Sequence, residues 1–371
     1  MIIFLLFLMA LLAFANGAND NCKGVATLVG YGAAKPRHAL LWATATTALG
    51  ALVSFWAASG LVKSFSTGLF IEGTKLNSAF YAAVLIGAFG WVILATFTGF
   101  PVSTTHAITG ALTGAGLVAF GNAHFEWAFL GARFALPLAL SPLLSLALVY
   151  ILSWPILFIV SRWANRCACV TSESRVMPQA NGVAAMESAH LSVMVDNEAA
   201  CAGKENLAAV TTSGTANAYH WLTAGLVGFA RGWNDAPKIA ALGLVAFAGT
   251  SLQASGMLTC FVIVTVAMAL GGLIAGRKVL ETLSRKITPL PLAESMTAST
   301  TTALLVSLAS WQGMPVSTTH VSTGAIIGAG LKHNAKGVHW NKVREILLSW
   351  LLTLPFAALI AAGAQLLLGL Q

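Results

Sequence analysis

The spacing of its charges limits most strongly what this chain can fold into. Asp, Glu, Lys and Arg are so sparse that eight uncharged runs reach 19 residues or more: 1–19, 38–62, 76–125, 134–161, 206–230, 239–276, 295–331 and 346–371. About 20 apolar residues cross a bilayer core of about 30 Å as a helix, the form that satisfies its own backbone where no water is present. Each run is long enough to span, and 76–125 has room for two passes. With 57% of residues hydrophobic and 9% charged, a water-soluble surface cannot be assembled. The expected fold is an all-α polytopic membrane protein with about 9–12 membrane segments.

The formal charge of +8 does not point to nucleic acid, because the basic residues are scattered through short links between apolar runs. That is the distribution expected of cytoplasmic links. Cys22, Cys167, Cys169, Cys201 and Cys260 are odd in number and contain no Cys-x-x-Cys pair, so five free thiols are expected rather than disulfides or a zinc site. The apolar opening of the chain closes on Ala13-Phe14-Ala15, which resembles a signal-peptide cleavage site. No basic residue precedes the apolar stretch, and it is read as part of the first membrane helix.

Residues 162–216 differ from the rest: they are rich in Ala, Ser, Thr, Asn and Glu and show no sustained apolar period. They read as a polar cytoplasmic linker, mobile and dispensable for chemistry. On either side of it the sequence repeats. Phe14-Ala15-Asn16-Gly17-Ala18-Asn19-Asp20-Asn21-Cys22-Lys23 matches Phe229-Ala230-Arg231-Gly232-Trp233-Asn234-Asp235-Ala236-Pro237-Lys238 at six of ten positions. Pro101-Val102-Ser103-Thr104-Thr105-His106 recurs unchanged as Pro315-Val316-Ser317-Thr318-Thr319-His320. The step from Asp20 to Asp235 and the step from Thr104 to Thr318 are equal to within one position. Two unrelated motifs displaced by nearly one distance mean that whole halves were duplicated, which divides the chain into repeats at 1–161 and 217–371. The link after the first helix carries Lys35, Arg37 and His38, whereas the corresponding link around 249–253 is uncharged. Opposite charge bias at equivalent links predicts two inverted repeats. The basic residues Lys332, Lys336, Lys342 and Arg344 do not fit, since that scheme puts them outside.

An Asp within a membrane helix costs roughly 2.5 to 3.5 kcal/mol on insertion scales, so Asp20 and Asp235 need partners or water. Gly17 and Gly232 permit a broken helix, whose freed carbonyls together with Asn19, Asp20, Asn234 and Asp235 suit a hard cation such as Na⁺. The plainer interpretation is an Asn-Asp cap at a loop boundary, and the duplication argues against it. The Pro-Val-Ser-Thr-Thr-His segments have the opposite polarity. A re-entrant loop entering a helix offers free N–H groups and the hydroxyls of Ser103, Thr104, Thr105, Ser317, Thr318 and Thr319, which together suit an anion. A single Ser or Thr more often bonds its own helix, but an identical duplicated hexapeptide favours function. His106 and His320 are auxiliary, holding the loops rather than the ligand. Lys23 and Lys238, three residues after their Asp, can neutralise it, attract the anion or snorkel. Arg231 has the neutral Asn16 as its counterpart, so any role it has is one-sided.

Taken together, Gly17-Ala18-Asn19-Asp20, Gly232-Trp233-Asn234-Asp235 with Lys238, and the two Pro-Val-Ser-Thr-Thr-His segments resemble the inorganic phosphate transporter (PiT) family. The resemblance covers both halves and not the linker. It implies a symporter of two inverted repeats with broken helices and re-entrant hairpins. Such a protein carries inorganic phosphate with Na⁺ or H⁺ and has its phosphate and cation sites at mid-membrane. By motif position the phosphate site is Ser103, Thr104, Thr105, Ser317, Thr318 and Thr319 with Asn19 and Asn234. Asp20 and Asp235, with the same Asn residues, would hold the cation, Na⁺ if sodium-coupled. The usual first motif has a neutral Asn where this chain has Lys23, and the second has Gln where this chain has Pro237.

The function expected is secondary active phosphate import by alternating access, without covalent chemistry or an enzyme cofactor, in the plasma (inner) membrane. Its partners would be phosphate, a coupling cation and the bilayer, with pairing into a homodimer expected from size alone. A sulfate or other oxyanion permease is the alternative, then an anion channel. A hydrolase using Ser, His and Asp is disfavoured, because a catalytic site duplicated within one chain would be odd.

Overall fold

The computed structural model describes residues 1–57, 59–162, 165–173, 176–178, 184–186, 190–202, 206–247 and 253–369. The first half contains α1 (Ile2–Asp20), α2 (Ala26–Tyr31), α3 (Pro36–Ala57), α4 (Ser59–Ser66), α5 (Ser78–Thr98), α6 (Thr104–Phe120), the single turn α7 (Trp127–Phe129) and α8 (Leu136–Arg162). The middle stretch holds strands β1 (Arg166–Glu173), β2 (Val176–Pro178), β3 (Ala184–Met186), β4 (His190–Asn197) and β5 (Asn206–Thr211), with the short helix α9 (Glu198–Ala202). The second half contains α10 (Thr212–Leu244), α11 (Gln253–Ala275), α12 (Arg277–Arg285), α13 (Leu292–Trp311), α14 (Thr318–Asn334) and α15 (Trp340–Gly369).

Among the described residues, six helical stretches are long and apolar enough to cross a membrane: Ile2–Gly24, Pro36–Ala57, Ser78–Thr98, Trp127–Arg162, Ser255–Ala275 and Trp340–Gly369. The helices α6, α10, α13 and α14 fall outside that set; α6 and α14 have 17 residues each, and α10 carries Arg231, Asp235 and Lys238. Large apolar side chains face outward on the peripheral helices; Trp154 of α8 and Leu351 of α15 are each 73% exposed. That arrangement suits hydrocarbon rather than water.

The packing is reciprocal. α1 lies against α11 and α10 against α3, while α6 lies against α15 and α14 against α8. The motif glycines sit at the first pair of crossings. A Cβ on Gly17 would collide with the Met268 carbonyl on α11, and one on Gly232 with the Thr47 carbonyl on α3. Their role is therefore close helix approach rather than helix breaking. The helix does break in the first half, after Asp20, where a 3-10 turn (Asn21–Gly24) leads to α2. In the second half α10 runs unbroken through Pro237 to Leu244. One broken helix is found where two were expected.

The basic links lie together. Pro36 of the first half and Arg277 and Arg285 of α12 line one pocket, and the His339 N–H donates to the Ile287 carbonyl at 2.9 Å. The turn after α14 therefore folds back beside Lys286, which brings the misfitting Lys332–Arg344 stretch to the other basic residues. The uncharged link around 249–253 lies outside the described residues, save Gln253.

The stretch read as a polar linker contains, among its described residues, a three-stranded antiparallel sheet, ordered β4-β1-β5, and a β2–β3 pair. Its strands are short alternations that a search for a sustained period misses. The expectation of five free thiols is also overturned: Cys167 and Cys201 form a disulfide with a Cα–Cα distance of 6.5 Å, across a separation of 34 residues. Spacing cannot reveal that pair, because the fold of β1 back onto α9 brings it together. Cys22, Cys169 and Cys260 are free and buried.

Candidate functional site

The tips between α5 and α6 and between α13 and α14, each carrying one Pro-Val-Ser-Thr-Thr-His segment, are built alike. Each tip enters its helix at a Ser whose side chain accepts from the backbone N–H three residues on: Ser103 from His106 and Ser317 from His320, both at 3.2 Å. These are N-caps, and they fix the start of α6 and α14. Each tip is also tied to the Asn of an Asn-Asp pair. Asn19 accepts from the Val102 N–H at 3.1 Å and donates to the Phe100 carbonyl at 3.0 Å, while Asn234 donates to the Val316 carbonyl at 3.0 Å. An amide that both donates and accepts holds a loop whose own backbone partners are missing.

Two of the remaining hydroxyls cross between halves. Thr105 donates to the Val316 carbonyl at 3.2 Å and Thr319 to the Val102 carbonyl at 2.7 Å, so each tip's second Thr bonds the other tip. Thr104 donates to Asp20 Oδ2 at 3.3 Å. Thr318 is buried at the equivalent position of the other tip.

Both carboxylates have cationic partners within the chain. Lys23 Nζ donates to Asp20, to the Val102 carbonyl at 2.9 Å and to the Thr319 hydroxyl. Lys238 Nζ donates to Asp235 at 3.3 Å, to the Val316 carbonyl at 3.0 Å and to the Thr105 hydroxyl at 2.7 Å. Of the roles left open for these lysines, neutralising the neighbouring Asp is the one this geometry displays. Asn16, Asn19, Asp20, Lys23, Ser103, Thr104, Thr105, Asn234, Asp235, Lys238, Ser317, Thr318 and Thr319 are each at most 3% exposed. The four sequence signatures thus converge on one closed cluster.

Two residues, Arg231 and Asn16, bind it together. Arg231 is fully buried, donates to the Asn16 and Asn21 side-chain oxygens and to Thr47 Oγ1 at 3.1 Å, and lies 3.6 Å from Asp235. Asn16 Nδ2 is within reach of Asp20 Oδ2 at 3.2 Å, Asp235 Oδ2 at 3.3 Å and Thr104 Oγ1 at 2.9 Å, so one amide touches both carboxylates. These residues escape a search for duplicated motifs because Arg231 and Asn16 occupy equivalent positions with different side chains. The usable signal was an Arg between two uncharged runs, where an unpartnered charge is costly.

The histidines pack behind the tips. His106 and His320 have ring centroids 4.6 Å apart, and His320 stacks on Trp350 at 4.0 Å and bonds the Leu138 carbonyl through Nδ1 at 3.0 Å. Among the described residues, His106 Nδ1 and His320 Nε2 are buried without a partner, as is Asn234 Oδ1. Three cations against two carboxylates leave the cluster with an excess of positive charge, which suits an anion rather than a further cation.

Comparison with known proteins gives a consistent result. The profile described as Phosphate transporter family matches residues 16–361. A Rhizobium meliloti (strain 1021) protein named "Probable low-affinity inorganic phosphate transporter" is 30% identical over 358 residues, covering 94% of this chain and 91% of that one. A protein of the same name from Bacillus subtilis (strain 168) is 28% identical over 365 residues, covering 96% and 94%. A solved structure titled "The sodium-dependent phosphate transporter" superposes with a TM-score of 0.75 at 24% identity, covering 100% of this chain and 99% of that one.

Proposed function

This chain belongs to the phosphate transporter family, and on that premise we propose that it imports inorganic phosphate across the plasma membrane as a cation-coupled secondary transporter. The observation that carries the proposal is the single buried cluster in which two hairpin tips from different halves bond each other and both Asn-Asp pairs. In this reading the halves are inverted repeats with re-entrant hairpins, joined by the 162–216 linker. The hairpin hydroxyls and N–H groups replace the water of phosphate, and Asn19, Asp20, Asn234 and Asp235 hold the positive charge that offsets the anion's. Alternating access follows if the halves rock about this cluster, so that it opens to one side and then to the other. The burial of the Asn, Asp, Ser and Thr residues of the four signatures suits the closed step between those openings.

Phosphate at neutral pH still carries an O–H that can donate to a carboxylate, and sulfate has none. An Asp within reach of the anion therefore discriminates in favour of phosphate. The test is labelled phosphate uptake into proteoliposomes under imposed Na⁺ and H⁺ gradients, with excess unlabelled sulfate as competitor. Uptake is expected to be concentrative, barely reduced by sulfate and strongly reduced in Asp20→Asn and Asp235→Asn. Uptake that never exceeds equilibrium would indicate a channel, strong sulfate competition a sulfate permease, and undiminished uptake in both variants would remove the carboxylates from the mechanism.

A further inference from the structure

We propose that Lys23 and Lys238 are tethered cations filling the two oxygen cages where a coupling metal ion would sit, so that no Na⁺ is taken up at Asp20 or Asp235. The inference rests on the reading of this cluster as the transport site, and it identifies the cation there.

The two cages have the same composition by the same rule. Each ammonium faces the carboxylate three residues before it, the Val carbonyl of one hairpin tip, and the second Thr hydroxyl of the opposite tip. For Lys23 the carbonyl is that of Val102 and the hydroxyl that of Thr319; for Lys238 they are Val316 and Thr105. An ammonium has three N–H donors and accepts nothing, so three oxygens satisfy it completely. Carboxylate, carbonyl and hydroxyl oxygens are also what a hard cation requires. A lysine already bonded to all three leaves a metal ion neither the space nor the ligands. The two lysines are 3% and 1% exposed, so water does not compete for these donors.

Charge leads to the same conclusion. With Arg231 beside Asp235, three cations face two carboxylates in one buried cluster. An added Na⁺ would raise a charge that is already positive where screening is weak. An entering oxyanion meets the attraction without it. The repulsion between phosphate and two bare carboxylates, which would otherwise make a metal ion obligatory, is absent because neither carboxylate is bare. The coupling ion is then the proton, which phosphate can itself carry on an oxygen.

The experiment is phosphate uptake by the full-length protein in proteoliposomes, in Na⁺ or choline medium, with and without an inside-alkaline pH gradient. It is paired with the melting temperature in detergent with Na⁺ or choline, for the wild type, Lys23→Asn and Lys238→Asn. Wild-type uptake should agree within twofold between the two media and rise with the pH gradient. Na⁺ should raise the melting temperature of each Lys variant, whose cage is vacated, and leave the wild type unmoved; this readout survives if a variant no longer transports. Wild-type uptake that falls more than tenfold in choline would overturn the inference while leaving phosphate transport standing. Lys variants whose melting temperatures ignore Na⁺, as the wild type does, would also overturn it. Absence of phosphate uptake in every medium would instead defeat the transport reading, and this inference with it.

Discussion

The two halves meet in the cluster with the same donors and unequal support. In the first half, Asp20 ends a helix that breaks immediately after it, and its cationic partner is Lys23, three residues on. In the second, Asp235 lies within the continuous 33-residue helix α10 and has two cations, Lys238 and Arg231. Lys238 also lies 5.9 Å from the Phe65 ring centroid. The second half thus reaches across and anchors the first: Arg231 bonds Asn16 and Asn21, on either side of Asp20. The oxygen set around each ammonium is the same in both halves, while the backbone beneath it differs. The contacts around each ammonium, rather than the helix path, are what the two halves share.

The largest expected effect tests that asymmetry. Arg231→Met strips partners from Asn16, Asn21, Thr47 and Asp235 at once, and removing one partner from a buried charged network costs about 3–5 kcal/mol. The unfolding free energy in mild detergent should drop by that order. A loss below about 1 kcal/mol, typical of an exposed pair, would mean the second half does not anchor the first. Next come the helix crossings. Gly17→Ala and Gly232→Ala each force a methyl against a neighbouring carbonyl, for which overpacking costs about 1–3 kcal/mol. Similar losses in both would sharpen the reciprocity of packing, and a harmless Gly17→Ala would break it. The smallest effect concerns the caps. Ser103→Ala and Ser317→Ala each remove one hydrogen bond at a helix start, about 1 kcal/mol apiece. Equal losses by thermal unfolding are expected, because the two caps share one geometry; a severalfold difference would mean that one tip is held by other contacts.

Much of this was legible beforehand. Asp20 and Asp235 stood out because a carboxylate in an apolar run needs an explanation, and the two Ser-Thr-Thr tips because a polar hexapeptide recurred unchanged. Arg231 was equally conspicuous by cost, but comparison of the halves set it against Asn16 and hid it. The joint role of these two residues is a contact, and alignment does not display contacts between equivalent positions. The strands of the 162–216 stretch and the Cys167–Cys201 bridge were missed for a related reason: each depends on a partner well along the chain that no local period announces.

Sequence alone determined that the chain has helices apolar enough to span a membrane, that two motifs each occur twice and which polar residues had to find partners. Those facts follow from the cost of leaving charge or open backbone in hydrocarbon. Only the tertiary structure decided which partner each residue took. Lys23 bonds Thr319, 296 positions away, and Lys238 bonds Thr105, 133 positions away. A desolvation cost is a property of one residue and can be read from its neighbours in the chain. The contact that relieves it belongs to two segments and exists only once helices from both halves have packed.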